Sequence, residues 1–413
     1  MTNSNGRSAA SSPVRHGRLK RSHGWAFVAQ LAALVVVVIV VSAGTVAGVV
    51  AYGFTHEITA NSVDIHSGQK VAVPPGIAAY PGGFNVLMVG SDTGVGQGDL
   101  GKGRGSAALN DVTILVHVSA DHTFATAISF PRDMVLPHPK CAQGGSAAGL
   151  PLNTALSYGG LACVVTVIES FTGLPIQFAG LITFDGVIAV SDAIGGVDVC
   201  VIGDFHDTGT GLDLPAGTST LSGGTALEFL RSRHGVGDGS DLSRISSQQV
   251  YLSSMVRKLE AAGTLSNPVT VYQIATAALA NMQLSTSLDS VTTMLSLAAA
   301  LKSIPTDRIV LTQYPGSTGG SGIFAGKVQP NTTLGGQLIA LVKADQPFAL
   351  GTSGQNRGTI VSAAPTAAAS PSGSATPTLP GSSTSTAPTV INGLIGQSAA
   401  QQSCSKSRPI SDQ

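Results

Sequence analysis

Three arginines flank a glycine-rich turn in the segment FLRSRHGVGDGSDLSRISSQQ, residues 229–249. They are Arg231, Arg233 and Arg244, and they stand out because only 11% of the 413 residues are charged. A guanidinium group binds phosphate or carboxylate through two parallel hydrogen bonds, and several such groups together suit a pyrophosphate. The segment therefore predicts a binding site for a doubly charged anion or a pyrophosphate.

The residues after the turn have the spacing of an amphipathic helix that begins at Asp241. Asp241, Arg244 and Gln248 follow i, i+3, i+7 spacing and share one face. A second face is apolar and consists of Leu242, Ile245, Leu252, Val256 and Leu259. We therefore expect Arg244 to point away from the core. An extended backbone through LRSR would place Arg231 and Arg233 on one side of the chain.

Further charged residues adjoin predicted strands. VTILVHV (112–118) and TFATAISF (123–130) are separated by SADH and predict an antiparallel hairpin, so Asp111 and Arg132 lie at one edge. If FNVLMVG (84–90) is parallel to TFATAISF, Asp92 lies at that edge too. Loops at strand ends are common places for sites.

Short β-branched runs alternate with longer periodic segments along residues 84–350. Strands are predicted at 84–90, 112–118, 123–130, 197–202 and 308–314, and helices at 161–171, 183–194, 241–262, 268–282, 288–304 and 333–345. The mixture is typical of an α/β or α+β fold, and of these we predict an α/β fold of the α-β-α type with helices covering a central mixed β-sheet.

The N-terminal segment predicts a membrane anchor. Residues 1–24 carry five basic residues and no acid, and residues 25–52 contain no charged residue. This uncharged run exceeds the ~20 residues needed to span the hydrocarbon, and it is longer than the apolar part of a cleavable signal peptide. The basic tail should stay cytoplasmic. The residues after the anchor of this single-pass cell-membrane protein should then lie on the extracytoplasmic side.

The remaining chain divides by composition. Residues 53–83 are predicted to form a stalk and linker, residues 84–350 the folded catalytic domain, and residues 351–413 a mostly disordered tail rich in Ser, Thr, Pro and Ala. The end of that tail, VINGLIGQSAAQQSCSKSRPISDQ, has some apolar character and one cysteine, so docking onto the domain is an open alternative for it.

Composition and motifs exclude several classes of protein. The formal net charge is zero, so nothing attracts nucleic acid globally. The sequence contains no GxSxG elbow, no P-loop and no HExxH pair, which argues against three common types of enzyme site.

Four cysteines follow the predicted anchor: Cys141, Cys163, Cys200 and Cys404. Outside the membrane they can oxidise, and the short separation of Cys141 and Cys163 favours a disulfide between them. No CxxC motif supports a metal site. Whether Cys200 pairs with Cys404 stays open at this point.

The sequence resembles the LytR-CpsA-Psr (LCP) family of Gram-positive and actinobacterial envelope proteins. The resemblance covers about residues 85–255 through the ordered segments NVLMVGSDT, NDVTILVHVSAD, ATAISFPRDM, LPLNTALSYGG, ITFDGVIAVSDAIGGVDVCV, TLSGGTALEFLRSRH and GSDLSRISSQQ. It implies an enzyme that transfers a polyprenyl-pyrophosphate-linked glycopolymer to peptidoglycan through a phosphodiester. In mycolic-acid actinobacteria that polymer is typically arabinogalactan.

The resemblance also implies roles for individual residues. Asp92 and Asp111 resemble the family's metal-site carboxylates, and Gln248 resembles a substrate-binding glutamine. The pyrophosphate-binding arginines would be Arg132, Arg231, Arg233 and Arg244. Hard carboxylate ligands suit Mg²⁺, with Mn²⁺ as the alternative, rather than zinc. A carboxylate such as Asp92 could also take the proton of the acceptor.

The chain departs from the family pattern at three places. Leu109-Asn110 precede Asp111 where many relatives have a basic residue and Ser, which could alter the metal site. Ser247 stands where Arg is frequent, which predicts one cation fewer. Thr218 replaces a cysteine of actinobacterial relatives, which leaves Cys200 without that partner.

Other interpretations of the same residues remain open. Asp92 and Asp111 could be turn formers, Asp241 a helix N-cap, and Arg132 part of a surface ion pair with Asp133. The alternative function is a membrane-anchored regulator or wall-polymer-binding protein without turnover, because no covalent nucleophile is evident. A tail of about 24 cytoplasmic residues is too short for a helix-turn-helix.

Overall fold

A computed structural model describes residues 62–66, 79–92, 108–261, 267–288, 290–351, 358–361 and 388–413. The predicted cytoplasmic tail at 1–24 and the predicted transmembrane helix at 25–52 lie outside the described residues. Within the described part, the segment Leu152–Thr172 is long and apolar enough to cross a membrane, but 44% of its most apolar window is buried inside the protein. Most of that segment is a helix of the folded core.

The strands and helices are numbered in chain order. The strands are β1 Ser62–Val63, β2 Phe84–Ser91, β3 Asn110–Val118, β4 Ala125–Ser129, β5 Val135–His138, β6 Ala147–Pro151, β7 Phe178–Ile182, β8 Val197–Ile202, β9 Phe205–Asp207, β10 Leu212–Leu214, β11 Gly217–Leu221, β12 Met282–Ser285, β13 Ile309–Gln313, β14 Gly316–Ser317, β15 Gln329–Pro330, β16 Phe348–Leu350, β17 Thr359–Val361, β18 Thr389–Ile391, β19 Gly396–Ser398 and β20 Ser403–Lys406. The helices are α1 Ala155–Thr172, α2 Phe184–Ala193, α3 Gly223–Arg231, α4 Asp241–Glu260, α5 Pro268–Asn281, α6 Val291–Lys302 and α7 Thr332–Lys343.

The central sheet is mixed and has eight strands in the order β1-β12-β7-β2-β3-β4-β13-β19. β3 is antiparallel to both β2 and β4, so β2 and β4 are parallel to each other. The end of β2, the start of β3 and the end of β4 therefore meet at one edge. This arrangement confirms the predicted hairpin and meets the condition that 84–90 and 123–130 run in the same direction.

Two helical layers cover the sheet. Alternate residues of the central strands, such as Leu87, Val89 and Leu115, pack on one face in a core that includes α1 and α7. On the other face, Phe84, Val118 and Phe178 pack with residues of α5 and α6. The predicted α-β-α fold is confirmed, because period-2 strands present apolar side chains to both layers.

A smaller sheet, β11-β8-β20-β17, carries α3 and α4 on its surface. Its core includes Val197, Val199, Phe205, Phe229 and Val250. This subdomain positions the arginine-rich segment of the sequence, since α3 and α4 flank the glycine-rich turn.

Two predicted boundaries need correction. Ser62–Val63 pairs with β12, and Ile65 and Tyr80 are buried in the core, so these parts of the predicted stalk at 53–83 belong to the domain. At the other end, residues 388–413 are folded and add β18, β19 and β20, so this part of the predicted disordered tail is docked. Apolar residues such as Ile391 and Leu394 cause the docking because they enter the main core.

Both disulfides of the structure fix loops or termini of the domain. Cys141 is bonded to Cys163 in α1, and Cys200 in β8 is bonded to Cys404 in β20. The second bond joins residues 204 positions apart and ties the C-terminal segment to the smaller sheet.

We expect the loss of Cys200–Cys404 to destabilise the protein more than the loss of Cys141–Cys163. The chain-entropy relation gives about 5 kcal/mol for the long loop and about 3 kcal/mol for the short one. Denaturant unfolding of the double serine variants at 200/404 and at 141/163 measures the two losses. An equal or larger loss in the 141/163 variant would show that loop length does not determine the difference.

His138 gives the stability of this fold a pH dependence. Its ring is buried against Tyr158, and neither ring nitrogen has a hydrogen-bond partner among the described residues. Burial lowers the pKa of His138 below its ordinary value of 6.5. The unfolded chain therefore binds a proton at a pH where the folded chain does not, and stability decreases as the pH falls below 6.5.

We expect His138→Phe to remove part of this pH dependence. The buried His117, whose pKa is also lowered by burial, accounts for another part. The measurement is the free energy of unfolding between pH 7 and pH 5. His206→Gln is the matched control because the His206 side chain is 46% exposed. An unchanged slope in His138→Phe would contradict this account.

Candidate functional site

A cavity of about 1220 Å³ lies between the central sheet and the helices α2, α4, α5 and α6. It is larger than the ~300–1,000 Å³ typical of sites for small molecules. Most of the side chains that line it are apolar. The apolar lining includes Met88, Ile114, Val116, Ala127, Ile182, Val187, Leu252, Met255, Val256, Leu259, Met282, Ile309 and Leu311.

All the predicted substrate and metal residues line this one cavity. They are Asp92, Asp111, Arg132, Arg231, Arg233, Arg244 and Gln248. They come from the ends of β2 and α3, the start of β3, the segment after β4, the glycine-rich turn and α4. The structure therefore brings together residues that are 156 positions apart at the extremes, and it places them beside an apolar chamber.

A β-bulge places Asp111 in this group. Gly90 pairs with Val112, but Ser91 pairs with Asn110, so Asp111 is the extra residue of β3. A bulge of this kind turns a side chain away from the regular alternation of the strand. Asp111 forms an ion pair with Arg132 and accepts a hydrogen bond from Arg244 Nη2 on its backbone oxygen at 2.9 Å.

Arg132 lies among three carboxylates. It is paired with Asp111, and its Nε lies 3.6 Å from Asp133 Oδ2 and 3.8 Å from Asp241 Oδ1. Burial lowers the pKa of Arg132, but Asp111, Asp241 and Asp133 outweigh that effect and raise it above its ordinary value. The simple surface ion pair with Asp133 is therefore an incomplete description, because Arg132 joins two segments of the site.

Arg244 is buried, with 4% of its surface exposed. It lies at the cavity and not in the apolar core, and its burial arises because the polar face of α4 packs against the other segments of the site. Its Nη2 lies 2.6 Å from Asp241 Oδ1. Burial lowers the pKa of Arg244, Asp241 opposes that effect, and Arg132 adds to it. Two arginines held this close favour binding of an anion between them.

Asp241 begins α4 but does not cap it. The N-cap is Ser240, whose side chain accepts a hydrogen bond from Ser243 N at 3.2 Å. The Asp241 carboxylate instead contacts Arg244 and Arg132, and its Oδ2 accepts a hydrogen bond from Arg132 N at 3.3 Å. Asp241 thus holds the two arginines of different segments together.

The LRSR segment is not extended. Arg231 is the last residue of α3 and the chain leaves the helical conformation at Ser232, so the condition of an extended backbone through both arginines is not met. The helix forms because Ala226, Leu227 and Phe229 bury its apolar face. Arg231 lies 4.6 Å above the Phe184 ring. Gln248 Nε2 donates to Leu230 O at 2.9 Å and so holds the end of α3 against α4.

Two of the sequence departures have structural explanations. Ser247 is fully buried and contacts Ser405 at 2.5 Å between hydroxyl oxygens, so its side chain faces the C-terminal segment. Asn110 accepts a hydrogen bond from Leu156 N at 3.3 Å and donates to Thr113 at 2.9 Å. It therefore anchors the start of α1 beside Asp111.

No sequence pattern indicates a role for Asp207. Its buried carboxylate accepts hydrogen bonds from the segment that carries Arg233, and it lies in the cavity wall. The residue ends a three-residue strand in a polar stretch, where nothing in the local pattern distinguishes it from other turn residues.

The charged end of the cavity suits an anion. Arg132 Nε and Arg244 Nε are buried and have no hydrogen-bond partner among the described residues. The Arg233 guanidinium likewise forms no ion pair within 4.0 Å and no hydrogen bond with any described residue. Buried donors without acceptors are costly, and phosphate oxygens would satisfy them.

The carboxylates at this end fit a magnesium ion in part. Asp92 and Asp111 both line the cavity, and Mg²⁺ commonly binds one or two carboxylates with water and substrate phosphates. One oxygen of Asp111 is engaged by Arg132. The described residues contain no group of three or more His, Cys, Asp or Glu side chains arranged for a metal. Any ion here would therefore need phosphate or water oxygens to complete its shell.

Comparisons with known proteins agree with this fold. The model of the LytR_cpsA_psr family matches residues 50–337. Cell wall biosynthesis protein LcpA of Corynebacterium glutamicum is 28% identical over 260 residues, which are 56% of this chain and 49% of that protein. Enterococcus faecalis TagU, named a polyisoprenyl-teichoic acid–peptidoglycan teichoic acid transferase, is 28% identical over 206 residues, 50% of this chain and 62% of that protein.

A solved structure shows the same fold. Bacillus subtilis TagV superimposes with a TM-score of 0.52 at 22% identity, over 64% of this chain and 98% of that one. At this identity the likeness concerns the fold alone. The chain spans about half the length of the curated relatives it matches first.

Proposed function

The chain belongs to the LytR_cpsA_psr family, and on that premise we propose that it is an extracytoplasmic phosphotransferase. It attaches a polyprenyl-pyrophosphate-linked glycopolymer to peptidoglycan through a phosphodiester. The observation that carries this proposal is the continuity of a long apolar cavity with a cluster of four arginines and two aspartates. A polyprenyl pyrophosphate has the same two parts, an apolar chain and a dianionic head.

The head group matches the positive charge of the arginines. Two phosphates joined by an anhydride offer enough oxygens for the donors of Arg132, Arg231, Arg233 and Arg244 at once. The apolar lining would remove the prenyl chain from water, which favours binding by about 25 cal/mol per Å² of apolar surface buried. The same cavity therefore accounts for both affinity and orientation.

The reaction follows from this orientation. A hydroxyl of the peptidoglycan acceptor attacks the phosphorus that carries the glycopolymer and forms a new P–O bond. The anhydride P–O bond breaks, and polyprenyl phosphate leaves with the electron pair. The arginines stabilise the charge that develops on the leaving phosphate, because fixed donors in a partly buried site need no reorganisation.

The carboxylates have other roles in the proposed reaction. Asp92 accepts the proton of the attacking hydroxyl. Asp111 orients Arg132 through their ion pair. A bound Mg²⁺, or Mn²⁺ in its place, would be held by Asp92 and Asp111 and would neutralise phosphate charge.

The polymer and location are also proposals. TagU carries a teichoic acid transferase name and LcpA a cell wall biosynthesis name, which support a secondary wall polymer as the cargo. Arabinogalactan is the polymer expected from the resemblance. The uncharged run at 25–52 would hold the enzyme in the cell membrane with its N-terminus cytoplasmic. The two disulfides support an oxidising, external location.

Identification of the co-purifying lipid tests this function. Full-length protein extracted in mild detergent should carry polyprenyl phosphate or pyrophosphate species in native mass spectra. Ala127→Phe, which fills the apolar part of the cavity, should lose this lipid. Ala340→Phe, on the exposed side of α7, is the matched control and should keep it. Bound species without a prenyl chain, or none in either protein, would contradict the proposal.

A further inference from the structure

Asp207 connects two loops at the charged end of the cavity. It is the last residue of β9, and its side chain is fully buried. One neighbouring loop is its own turn, residues 207–210. The other is the segment 232–235 that directly follows Arg231 and contains Arg233.

Five hydrogen bonds converge on the Asp207 carboxylate. Oδ2 accepts from the Ser232 hydroxyl, from Arg233 N at 2.8 Å and from Gly235 N at 2.8 Å. Oδ1 accepts from two backbone amides of its own turn, Gly209 N at 2.8 Å and Thr210 N at 3.0 Å. One oxygen therefore holds the arginine segment, and the other holds the turn.

This arrangement requires the ionised carboxylate. Every contact is a donor, so a protonated acid or an amide would place a hydrogen against another hydrogen. Burial raises the pKa of Asp207, but the hydrogen bonds from Ser232, Gly235, Thr210 and Gly209 outweigh it and hold the pKa below its ordinary value. The carboxylate thus remains charged at neutral pH.

The two loops also pack too closely for side chains between them. A Cβ added to Gly235 would clash with the backbone oxygen of His206. A Cβ added to Gly209 would lie 2.5 Å from His234 Nδ1. The backbone of the arginine segment therefore packs directly against the end of the strand that carries Asp207.

Arg233 needs such support. Its guanidinium has no ion pair or hydrogen bond within the described part of the chain, and it lies close enough to Arg244 to lower the pKa of that guanidinium. Repulsion between these cations would move Arg233 outwards if its backbone were free. Asp207 is the carboxylate that fixes the backbone on which Arg233 stands.

We propose that Asp207 is a positioning residue that holds Arg233 for the pyrophosphate group, through its hydrogen bonds to the Ser232–Gly235 backbone. This proposal rests on the proposed function for the identity of the anion. It adds a residue that acts on Arg233 through the backbone of the arginine segment, while its other oxygen holds its own turn.

The test compares Asp207→Asn, Arg233→Ala and the double variant as full-length protein in detergent, with inorganic pyrophosphate as the probe. We expect each single variant to weaken pyrophosphate binding by about tenfold, and the double variant by about the same factor. Such non-additivity is the signature of two residues that act as one unit. Additive losses would overturn the proposal, because a merely structural role for Asp207 leaves the contribution of Arg233 intact.

Hydrogen exchange separates this proposal from the proposed function. Amides of residues 232–240 should exchange faster in Asp207→Asn, while those in the middle of α4 stay protected. Ser232→Ala, which removes one of five donors, should give an intermediate rate. Asp204→Asn is the control, since Asp204 is exposed and, among the described residues, its carboxylate accepts only from Ala216 N.

The outcomes are distinguishable. If the wild-type protein does not bind pyrophosphate, the anion site of the proposed function is wrong. Faster exchange in Asp207→Asn would still show that Asp207 holds the arginine segment. Exchange like that of Asp204→Asn would overturn the positioning role whatever the wild type binds.

Discussion

Asp111→Ala should lower the rate of glycopolymer transfer by at least about a thousandfold. The carboxylate is the closest ion-pair partner of Arg132 and one of the two carboxylates that would hold a magnesium ion. Its removal leaves Arg132 oriented only by the more distant Asp133 and Asp241, at 3.6 and 3.8 Å. The measurement is initial rate with lipid-linked glycopolymer and peptidoglycan at saturating Mg²⁺.

Asp133→Ala is the matched control for this variant. Asp133 also contacts Arg132, but it does not line the cavity and also pairs with Lys327 at 3.7 Å. We expect a loss of less than about tenfold, as for a partly exposed ion pair. The account of the site fails if the two variants are equally impaired, or if Asp111→Ala retains full activity while folded.

Arg244→Lys should lower transfer by about a hundredfold or more although the charge is kept. One guanidinium nitrogen, Nη2, contacts both Asp241 and the backbone oxygen of Asp111. The Nε atom has no acceptor among the described residues and can donate to a phosphate oxygen. An ammonium group cannot present donors in the planar, two-pronged arrangement of a guanidinium. Binding of polyprenyl pyrophosphate should therefore weaken more than binding of polyprenyl monophosphate, which asks for fewer donors.

Arg257→Lys on the same helix is the control for Arg244→Lys. Arg257 donates to Ala399 O at 2.7 Å and Gln401 O at 3.1 Å, outside the cavity. Its replacement should affect stability and leave the ratio of the two lipid affinities unchanged. Equal affinities of wild type and Arg244→Lys for both lipids would remove Arg244 from the phosphate clamp.

The sequence predicts the sheet edge of this site well because local signals determine it. The SADH turn between two β-branched runs specifies a hairpin, and the hairpin brings Asp111 and Arg132 together. The first turn of α4 is equally local, since the spacing of Asp241, Arg244 and Gln248 is that of a helix. The burial of Arg244 could not be predicted, because the partner surface that covers it comes from distant segments.

Other features depend on contacts that no local pattern encodes. The end of α3 at Arg231 is helical because its apolar face packs into the smaller sheet. The role of Asp207 depends on hydrogen bonds between β9 and the arginine segment, whose residues 207 and 233 are 26 positions apart. The C-terminal segment docks through Cys404 and β19. Its apolar character and cysteine made docking an open alternative, but its partner strands are distant in the sequence and no local pattern identifies them.

The most direct test of the central claim is turnover by the full-length protein. Purified protein would be mixed in detergent with a polyprenyl-pyrophosphate-linked glycopolymer and peptidoglycan fragments, with and without EDTA. The account predicts release of polyprenyl monophosphate in step with formation of a phosphodiester between polymer and peptidoglycan, and loss of both products with EDTA. Tight binding of the lipid-linked polymer without either product would contradict it and would favour a wall-polymer-binding protein instead.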